Sequence, residues 1–236
     1  FIVLLHGSHD APHSYREFAD FLVRRGFGVS VPLLAGHGRD WLALRDTSWD
    51  DLLGSARAGL EAARGAGARR IVIAGHSLGG SLALALAAEN PPDIAGVAPV
   101  SAPVAYPGFL APLIGAAGRI VPVFPRPIRS LVPLDLRLQL RYPVAQPAFF
   151  SAIIEALGDV RSSLALLRAP LLVVHGRLDG VVTPHNARAV FRETAPERKE
   201  LWFAPLDGHG LLWSPRRRRV FGRIADFAKE ATGGER

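Results

Sequence analysis

One serine stands in a glycine-rich turn whose surroundings suit covalent chemistry. Residues 75–79 read GHSLG and fit the pattern G-x-S-x-G around Ser77. The β-branched residues within 70–74 predict a buried strand before the turn, and the alanine- and leucine-rich run 81–90 predicts a helix after it. Flanking glycines let strand and helix approach closely, so Ser77 is presented as a nucleophile in a strained conformation. The alternative is a tight turn in which Ser77 only caps the helix.

A serine nucleophile needs a base within hydrogen-bond reach, and the base needs an acid that orients it. Asp179 follows the apolar strand PLLVVHG, and His209 follows the last strand, KELWFAP. Functional groups gather beyond the carboxyl ends of the strands in an open parallel sheet. We therefore expect Ser77 as nucleophile, His209 as base and Asp179 as acid to meet at that edge.

Other histidines and aspartates compete for the two supporting roles. His209 is preferred because it alone follows the last strand. The competing histidines are His6, His9, His13, His37, His76, His175 and His185. Asp179 is preferred over Asp207, which lies two residues from His209 and suits a role in shaping its turn. Asp135 and Asp159 fall in a proline-rich segment away from the predicted sheet.

Acyl transfer through a serine also needs donors for the oxyanion that develops on the substrate. The backbone N–H of Leu78 opens the predicted helix and is one natural donor. The second is expected from the loop after the first strand, which indicates the backbone N–H of Ser8 in HGSHDAP. The alternative is that this His-Gly pair only ends a strand.

The elements that would position these groups alternate between strand and helix along the chain. Apolar runs predict strands, and the helices between them have an apolar stripe or recognisable ends. The predicted strands are 1–7, 28–34, 70–74, 94–102, 170–176 and 199–205, and the predicted helices include 14–25, 48–64, 81–90 and one that carries Val220, Ile224 and Phe227. This alternation predicts an α/β fold with a mostly parallel central sheet and helices on both faces.

The alternation breaks between residues 103 and 167. This segment is rich in proline and carries a helical pattern over 148–157. We expect residues 1–102 and 168–236 to form the core, and 103–167 to form a lid that covers one end of the sheet. Its apolar side chains include Phe109, Leu110, Phe124, Leu131, Phe149 and Phe150. The uncharged stretch 94–118 contains internal prolines, which argue against a membrane-spanning helix.

Composition narrows the class of protein. The 236 residues contain no cysteine, which excludes disulfides and thiolate metal sites, and we expect neither metal nor organic cofactor. The net charge of +7 comes mainly from arginine, and the cluster 216–219 is interpreted as the solvated start of the last helix rather than a nucleic-acid site. The positive charge favours weak contact with a lipid interface. Because the chain begins within an apolar strand, we expect further residues upstream, and the cytoplasm is only the default compartment.

Taken with the order Ser, Asp, His, the chain resembles the α/β-hydrolase superfamily, and more narrowly the bacterial carboxylesterases and monoacylglycerol lipases. The resemblance rests on VLLHG, on SYREFADFLVRRGFGVSVPLLAGHG, on IVIAGHSLGGSLALALAAENP, on LLVVHGRLDGVVTPHNA and on the final GHG. It implies Ser77, Asp179 and His209 as the catalytic triad, with oxyanion donors at Ser8 and Leu78. The segment 103–167 resembles the family's lid.

Two departures concern the substrate more than the reaction. Family members usually carry an aromatic residue where this chain has Ser8, and many have GLSMGG where it has GHSLGG. The expected activity is hydrolysis of short- to medium-chain acyl esters or monoacylglycerols through an acyl-enzyme. The alternatives are a thioesterase, an acyltransferase or a C–C bond hydrolase on the same scaffold, and a non-catalytic ligand-binding protein.

Overall fold

A central parallel sheet organises the chain, as a computed structural model shows for residues 1–38, 43–106, 113–114, 116, 124–125 and 144–233. The strands are β1 (Ile2–Leu5), β2 (Val29–Ser30), β3 (Ile71–His76), β4 (Ile94–Val100), β5 (Phe124–Pro125), β6 (Val144–Ala145), β7 (Leu171–Gly176) and β8 (Lys199–Ala204). The α-helices are α1 (Arg16–Val23), α2 (Trp49–Gly65), α3 (Leu78–Ala88), α4 (Pro147–Ser163), α5 (Pro184–Glu193) and α6 (Arg217–Ala231). Short 3₁₀ turns occur at Pro12–Tyr15 and Leu164–Leu166.

Six strands form the main sheet in the order β2-β1-β3-β4-β7-β8, and every neighbouring pair is parallel. In this order β3 and β4 lie at the centre. The carboxyl ends of β3, β7 and β8 therefore open onto the same edge of the sheet, where the loops that follow them can meet.

The strands are buried on both faces because successive side chains point to opposite sides. One face packs against α2, α3 and α5, with α4 adding to the same core through its contacts with α2 and α3, and the other face packs against α1 and α6. The first face receives Val3, Leu5, Ile71 and Ile73, and the second receives Ile2, Leu4, Val72 and Ala74. This confirms the expected parallel sheet with helices on both faces.

Local sequence signals explain several helix ends. Ser48 and Asp51 form a reciprocal capping box at the start of α2, as their spacing predicts. The arginine cluster opens α6, where Arg217 pairs with Glu17 at 2.7 Å and the next two arginines are exposed. Among the described residues, no helix combines the length and apolarity needed to cross a membrane.

Two sequence predictions differ from the structure. The predicted strand 28–34 shortens to the two residues of β2, because Pro32 has no N–H to donate to a neighbouring strand. Helix α5 was not predicted, although Pro184 at its first turn is a common start signal. Its apolar stripe is short, since Ala187, Ala189 and Val190 are its buried apolar residues.

The segment predicted as a lid is described only in part. Its described residues include the antiparallel pair of β5 and β6, which is separate from the main sheet, and helix α4, which packs against α3. The predicted helical pattern 148–157 falls within α4. Phe109, Leu110 and Leu131 lie outside the described residues, and so does Asp135. The division into a core and a lid stays a prediction.

Candidate active site

Ser77 occupies the sharp bend between β3 and α3. Its φ of 53° and ψ of −120° lie in a region that residues with a side chain rarely adopt. The backbone N–H of Ser77 donates to the carbonyl of Val100 at 2.8 Å, which holds the bend against the end of β4. A Cβ on Gly75 would lie 2.1 Å from the carbonyl oxygen of Gly79, so the bend depends on glycine. The local sequence therefore accounts for the strained presentation of the Ser77 hydroxyl.

Three side chains from distant parts of the chain meet at this bend. The Nε2 atom of His209 lies 3.1 Å from Ser77 Oγ, and its Nδ1 atom lies 2.8 Å from Asp179 Oδ2. Asp179 and His209 are both buried. The structure thus brings together the serine, histidine and aspartate that the sequence singles out, in the linear arrangement that a nucleophile, a base and an orienting acid would need.

Asp179 is held as an ionised acceptor. Its Oδ1 accepts the backbone N–H groups of Val181 and Val182, each at 2.9 Å, while Oδ2 faces His209. Burial alone would raise the pKa of this carboxyl group. The hydrogen bond and charge of His209, together with the Val182 N–H, outweigh burial and lower the pKa of Asp179. A carboxylate at Nδ1 directs the Nε2 lone pair of His209 towards Ser77.

Two further histidines, which by sequence only compete with His209 for the role of base, support these groups. His76 Nε2 donates to the backbone carbonyl of His209 at 2.8 Å, and its ring packs edge-on against Trp213. His175 Nε2 donates to the carbonyl of Val182 at 2.9 Å, in the turn that carries Asp179. Burial lowers the pKa of both histidines, to about 3 for His76. Both act as neutral donors to backbone, a role that their position at strand ends only hints at.

The two expected oxyanion donors belong to segments that adjoin the serine. Leu78 is the first residue of α3, so its N–H has no acceptor within the helix. A Cβ placed on Gly7 would lie 3.2 Å from His76 Nδ1 and 3.6 Å from Ser77 Cβ. The loop after β1, which carries Ser8, therefore runs directly beside the serine.

An aromatic and histidine-rich layer lies next to that loop. His9 follows Ser8, and its ring stacks on Phe150 with centroids 5.2 Å apart and contacts the edge of Phe149. Phe149 also contacts His37, which in turn packs against His6. Helix α4, which belongs to the predicted lid, thus places two apolar rings beside the loop that carries Ser8.

The competing aspartates have other surroundings. The backbone carbonyl of Asp207 accepts the N–H of Leu178, and the Asp207 carboxylate lies 3.5 Å from Arg216. These contacts connect two loops, and neither is made to His209. Asp159 is exposed on α4. Within the described part of the chain, no group of three or more histidine and acidic residues is arranged to hold a metal ion.

Comparison with known proteins identifies the relatives of this chain. Residues 1–146 match the family described as serine aminopeptidase, S33. The thermostable monoacylglycerol lipase of Bacillus sp. (strain H-257) is 29% identical over 200 residues, covering 85% of this chain and 78% of that protein. The carboxylesterase of Bacillus subtilis (strain 168) is 24% identical, covering 97% of this chain and 92% of that protein.

Solved structures show the same fold. The monoacylglycerol lipase of Paleococcus ferrophilus superposes with a TM-score of 0.80 at 20% identity, covering 98% of this chain and 94% of that one. A structure reported with LipS and LipT, two metagenome-derived lipolytic enzymes, gives a TM-score of 0.82 at 23% identity, covering 97% and 93%. At these identities the likeness establishes the architecture.

Proposed function

The chain belongs to the serine aminopeptidase S33 family of α/β hydrolases, and we propose that it hydrolyses carboxylic esters through an acyl-enzyme formed on Ser77. The observation that carries this proposal is the hydrogen-bonded series from Ser77 Oγ to His209 to Asp179, with distances of 3.1 Å and 2.8 Å. The named relatives, a monoacylglycerol lipase and a carboxylesterase, support an ester as the substrate.

In the proposed mechanism, His209 Nε2 removes the hydroxyl proton as Ser77 Oγ attacks the ester carbonyl carbon. The imidazolium that forms is stabilised by the carboxylate of Asp179, and the same proton then passes to the leaving alkoxide. Water, activated by His209 in the second half-reaction, attacks the acyl-enzyme and releases the acid. Each step conserves charge and needs no co-reactant beyond water.

Charge that develops on the carbonyl oxygen needs donors fixed before the reaction. We assign this role to the backbone N–H groups of Leu78 and Ser8. Leu78 opens a helix, where N–H groups point outward and the helix dipole favours negative charge. The contact of Gly7 with the serine turn supports placing Ser8 on the opposite side of the substrate carbonyl.

The apolar rings beside the Ser8 loop support an uncharged acyl group, for which we propose a short to medium length. Phe149 is buried and Phe150 half-buried on α4, beside the loop that carries Ser8. An apolar acyl chain gains about 0.8 kcal/mol for each methylene that it buries against such side chains. The substrate class is therefore a small ester, such as a short acyl ester or a monoacylglycerol.

A substrate panel and an active-site probe test this proposal together. The protein is assayed with nitrophenyl esters of increasing chain length, a matched acyl thioester and an aminoacyl nitroanilide. We expect the esters of intermediate length to be the best substrates, and a fluorophosphonate to label Ser77, as located by mass spectrometry. Ser77→Ala, which keeps the fold, should lower turnover by about 10⁴-fold or more.

Each contrary result favours a different function. A thioester turned over tenfold faster than the matched ester would favour a thioesterase, and preference for the nitroanilide would favour a peptidase. A folded wild-type protein without a phosphonate adduct would favour a ligand-binding role.

A further inference from the structure

His9 has an unusual backbone conformation next to the proposed oxyanion donor. Its φ is 58°, in the left-handed region that residues with a side chain rarely adopt. The residue is fully buried. Strained conformations of this kind persist only where surrounding contacts hold them, and they concentrate at functional sites.

The contacts that hold His9 come from a distant part of the chain. Its Nε2 atom lies 2.7 Å from Oε1 of Gln146, which is 137 residues away and is also fully buried. The ring stacks on Phe150 at an interplanar angle of 26°. Gln146 immediately precedes α4, and Phe150 lies in the first turn of that helix. The start of α4 therefore makes both a hydrogen bond and a stacking contact with the His9 ring.

The loop between β1 and His9 is thus held at two points. Gly7 packs closely against His76 and the serine turn, and His9 is anchored to α4. The intervening residue is Ser8, whose N–H must point at the substrate carbonyl oxygen if it stabilises the oxyanion. A peptide between two fixed neighbours has little freedom to rotate, so anchoring at His9 fixes the direction of that N–H.

We propose that His9 and Gln146 together form a positioning pair for the oxyanion hole, in which their hydrogen bond holds the Ser8 N–H in the orientation needed at the transition state. The inference rests on the proposed function, because it assigns the Ser8 N–H to the oxyanion. In this role the buried His9 acts through the backbone and not by contact with the substrate. Because Gln146 is the partner of His9, the orientation of the Ser8 N–H also depends on the segment that precedes α4.

Three variants separate the effect of the His9 ring from the effect of the His9 backbone conformation. His9→Gly keeps access to a positive φ but removes the anchor, and Gln146→Ala removes the acceptor from the other side. Gln146→Glu retains an oxygen acceptor for His9 Nε2. The matched control is Thr194→Val, which removes a buried hydrogen bond from the Thr194 hydroxyl to the Val190 carbonyl at the end of α5.

The turnover of nitrophenyl butyrate is measured for each variant. Binding is measured for a hexyl trifluoromethyl ketone, whose adduct with the serine carries an oxyanion, and for the corresponding alcohol, which forms no such adduct. We expect His9→Gly and Gln146→Ala to lower kcat and ketone affinity by about tenfold, since a displaced donor costs less than the 10²–10³-fold of a lost one. KM and alcohol affinity should change by less than about threefold, and Gln146→Glu should restore most of kcat. The double variant should be no worse than the more impaired single variant.

A merely structural role predicts a different pattern. We expect Thr194→Val to lower only the melting temperature. If His9→Gly and Gln146→Ala do the same, and the ratio of ketone affinity to alcohol affinity stays at the wild-type value, the positioning role is wrong. If the two single effects multiply in the double variant, the residues do not act as a pair. Phosphonate labelling of wild-type Ser77 tests the proposed function independently of either result.

Discussion

The side chain of His76 is hydrogen-bonded to the backbone of His209, with 2.8 Å between the His76 Nε2 atom and the His209 carbonyl oxygen. The residue before the proposed nucleophile thus fixes the loop that carries the proposed base. Edge-on packing of the His76 ring against Trp213 and the Trp213 indole donation to the Ser14 carbonyl hold His76 itself in place.

Replacing His76 should therefore impair catalysis through the position of His209. We expect His76→Ala to lower kcat for nitrophenyl butyrate by about ten- to a hundredfold, because a base displaced by about 1 Å loses its reach to the hydroxyl. The free energy of unfolding should fall by about 1–3 kcal/mol, since the His209 carbonyl loses its buried partner. His76→Gln, which can still donate, should recover part of both losses. An alanine variant with wild-type kcat would contradict this role.

The proposed acid can be tested without emptying its site. Asp179→Asn keeps size and shape but presents an amide that can donate to His209 Nδ1, which favours the tautomer with a proton on Nε2. That proton blocks the acceptance of the Ser77 hydroxyl proton, so kcat should fall on the order of 10⁴-fold. Steady-state kinetics measure the loss, and circular dichroism checks that the fold is unchanged. Less than a tenfold loss would move the acid to another residue.

Sequence alone predicted which side chains meet at the candidate site better than it predicted the contacts that hold them there. Ser77 lies in a local pattern of strand, glycine turn and helix, and strand order predicts which loops share its edge of the sheet. The hydrogen bonds from His76 to His209 and from His9 to Gln146 span 133 and 137 residues. Neither pair belongs to a repeating pattern of apolar residues that would reveal it in the sequence. Such contacts depend on the packed fold, so composition and spacing could not reveal them.

Buried neutral histidines should make the protein acid-sensitive. Burial, with a smaller effect from nearby His37, lowers the pKa of His6 to about 3, and burial together with the charge of His209 lowers that of His76 to about 3. The unfolded chain, with values near 6.5, then binds more protons than the folded one between about pH 3 and 6.5. Stability must therefore fall as the pH drops through this window.

The expected slope is about 1.4 kcal/mol per pH unit for each of the two histidines. Asp179 adds to the loss at the lowest pH, because its lowered pKa gives stability that disappears once the carboxylate is protonated. Urea unfolding followed by tryptophan fluorescence, at half-unit steps from pH 7.5 to 4, measures the slope. His76→Gln should reduce the slope by about 1.4 kcal/mol per pH unit, and the buried His37 and His175, whose pKa values burial also lowers, contribute to the slope that remains. Equal unfolding free energies at pH 7 and pH 4.5 would show that these histidines are protonated in the folded state.

The glycine after Leu78 should tolerate no side chain. A Cβ on Gly79 would lie 2.1 Å from the carbonyl oxygen of Leu5, and this contact is with backbone of β1 that cannot move aside. Overpacking against the central sheet should cost Gly79→Ala about 3 kcal/mol of unfolding free energy. It should also lower kcat, because the displaced turn carries both Ser77 and the Leu78 N–H.

Gly158 is the matched control, since it lies in α4 and a Cβ there would meet no atom within 4 Å. Gly158→Ala should raise the unfolding free energy by about 0.5–1 kcal/mol through reduced chain entropy, with kcat unchanged. Urea titration of both variants beside the wild type separates the two effects. Because the substitution is the same, opposite signs would locate the cost in the contact between β1 and the serine turn. A Gly79→Ala protein as stable and active as Gly158→Ala would mean that strand and helix are less closely packed than the structure shows.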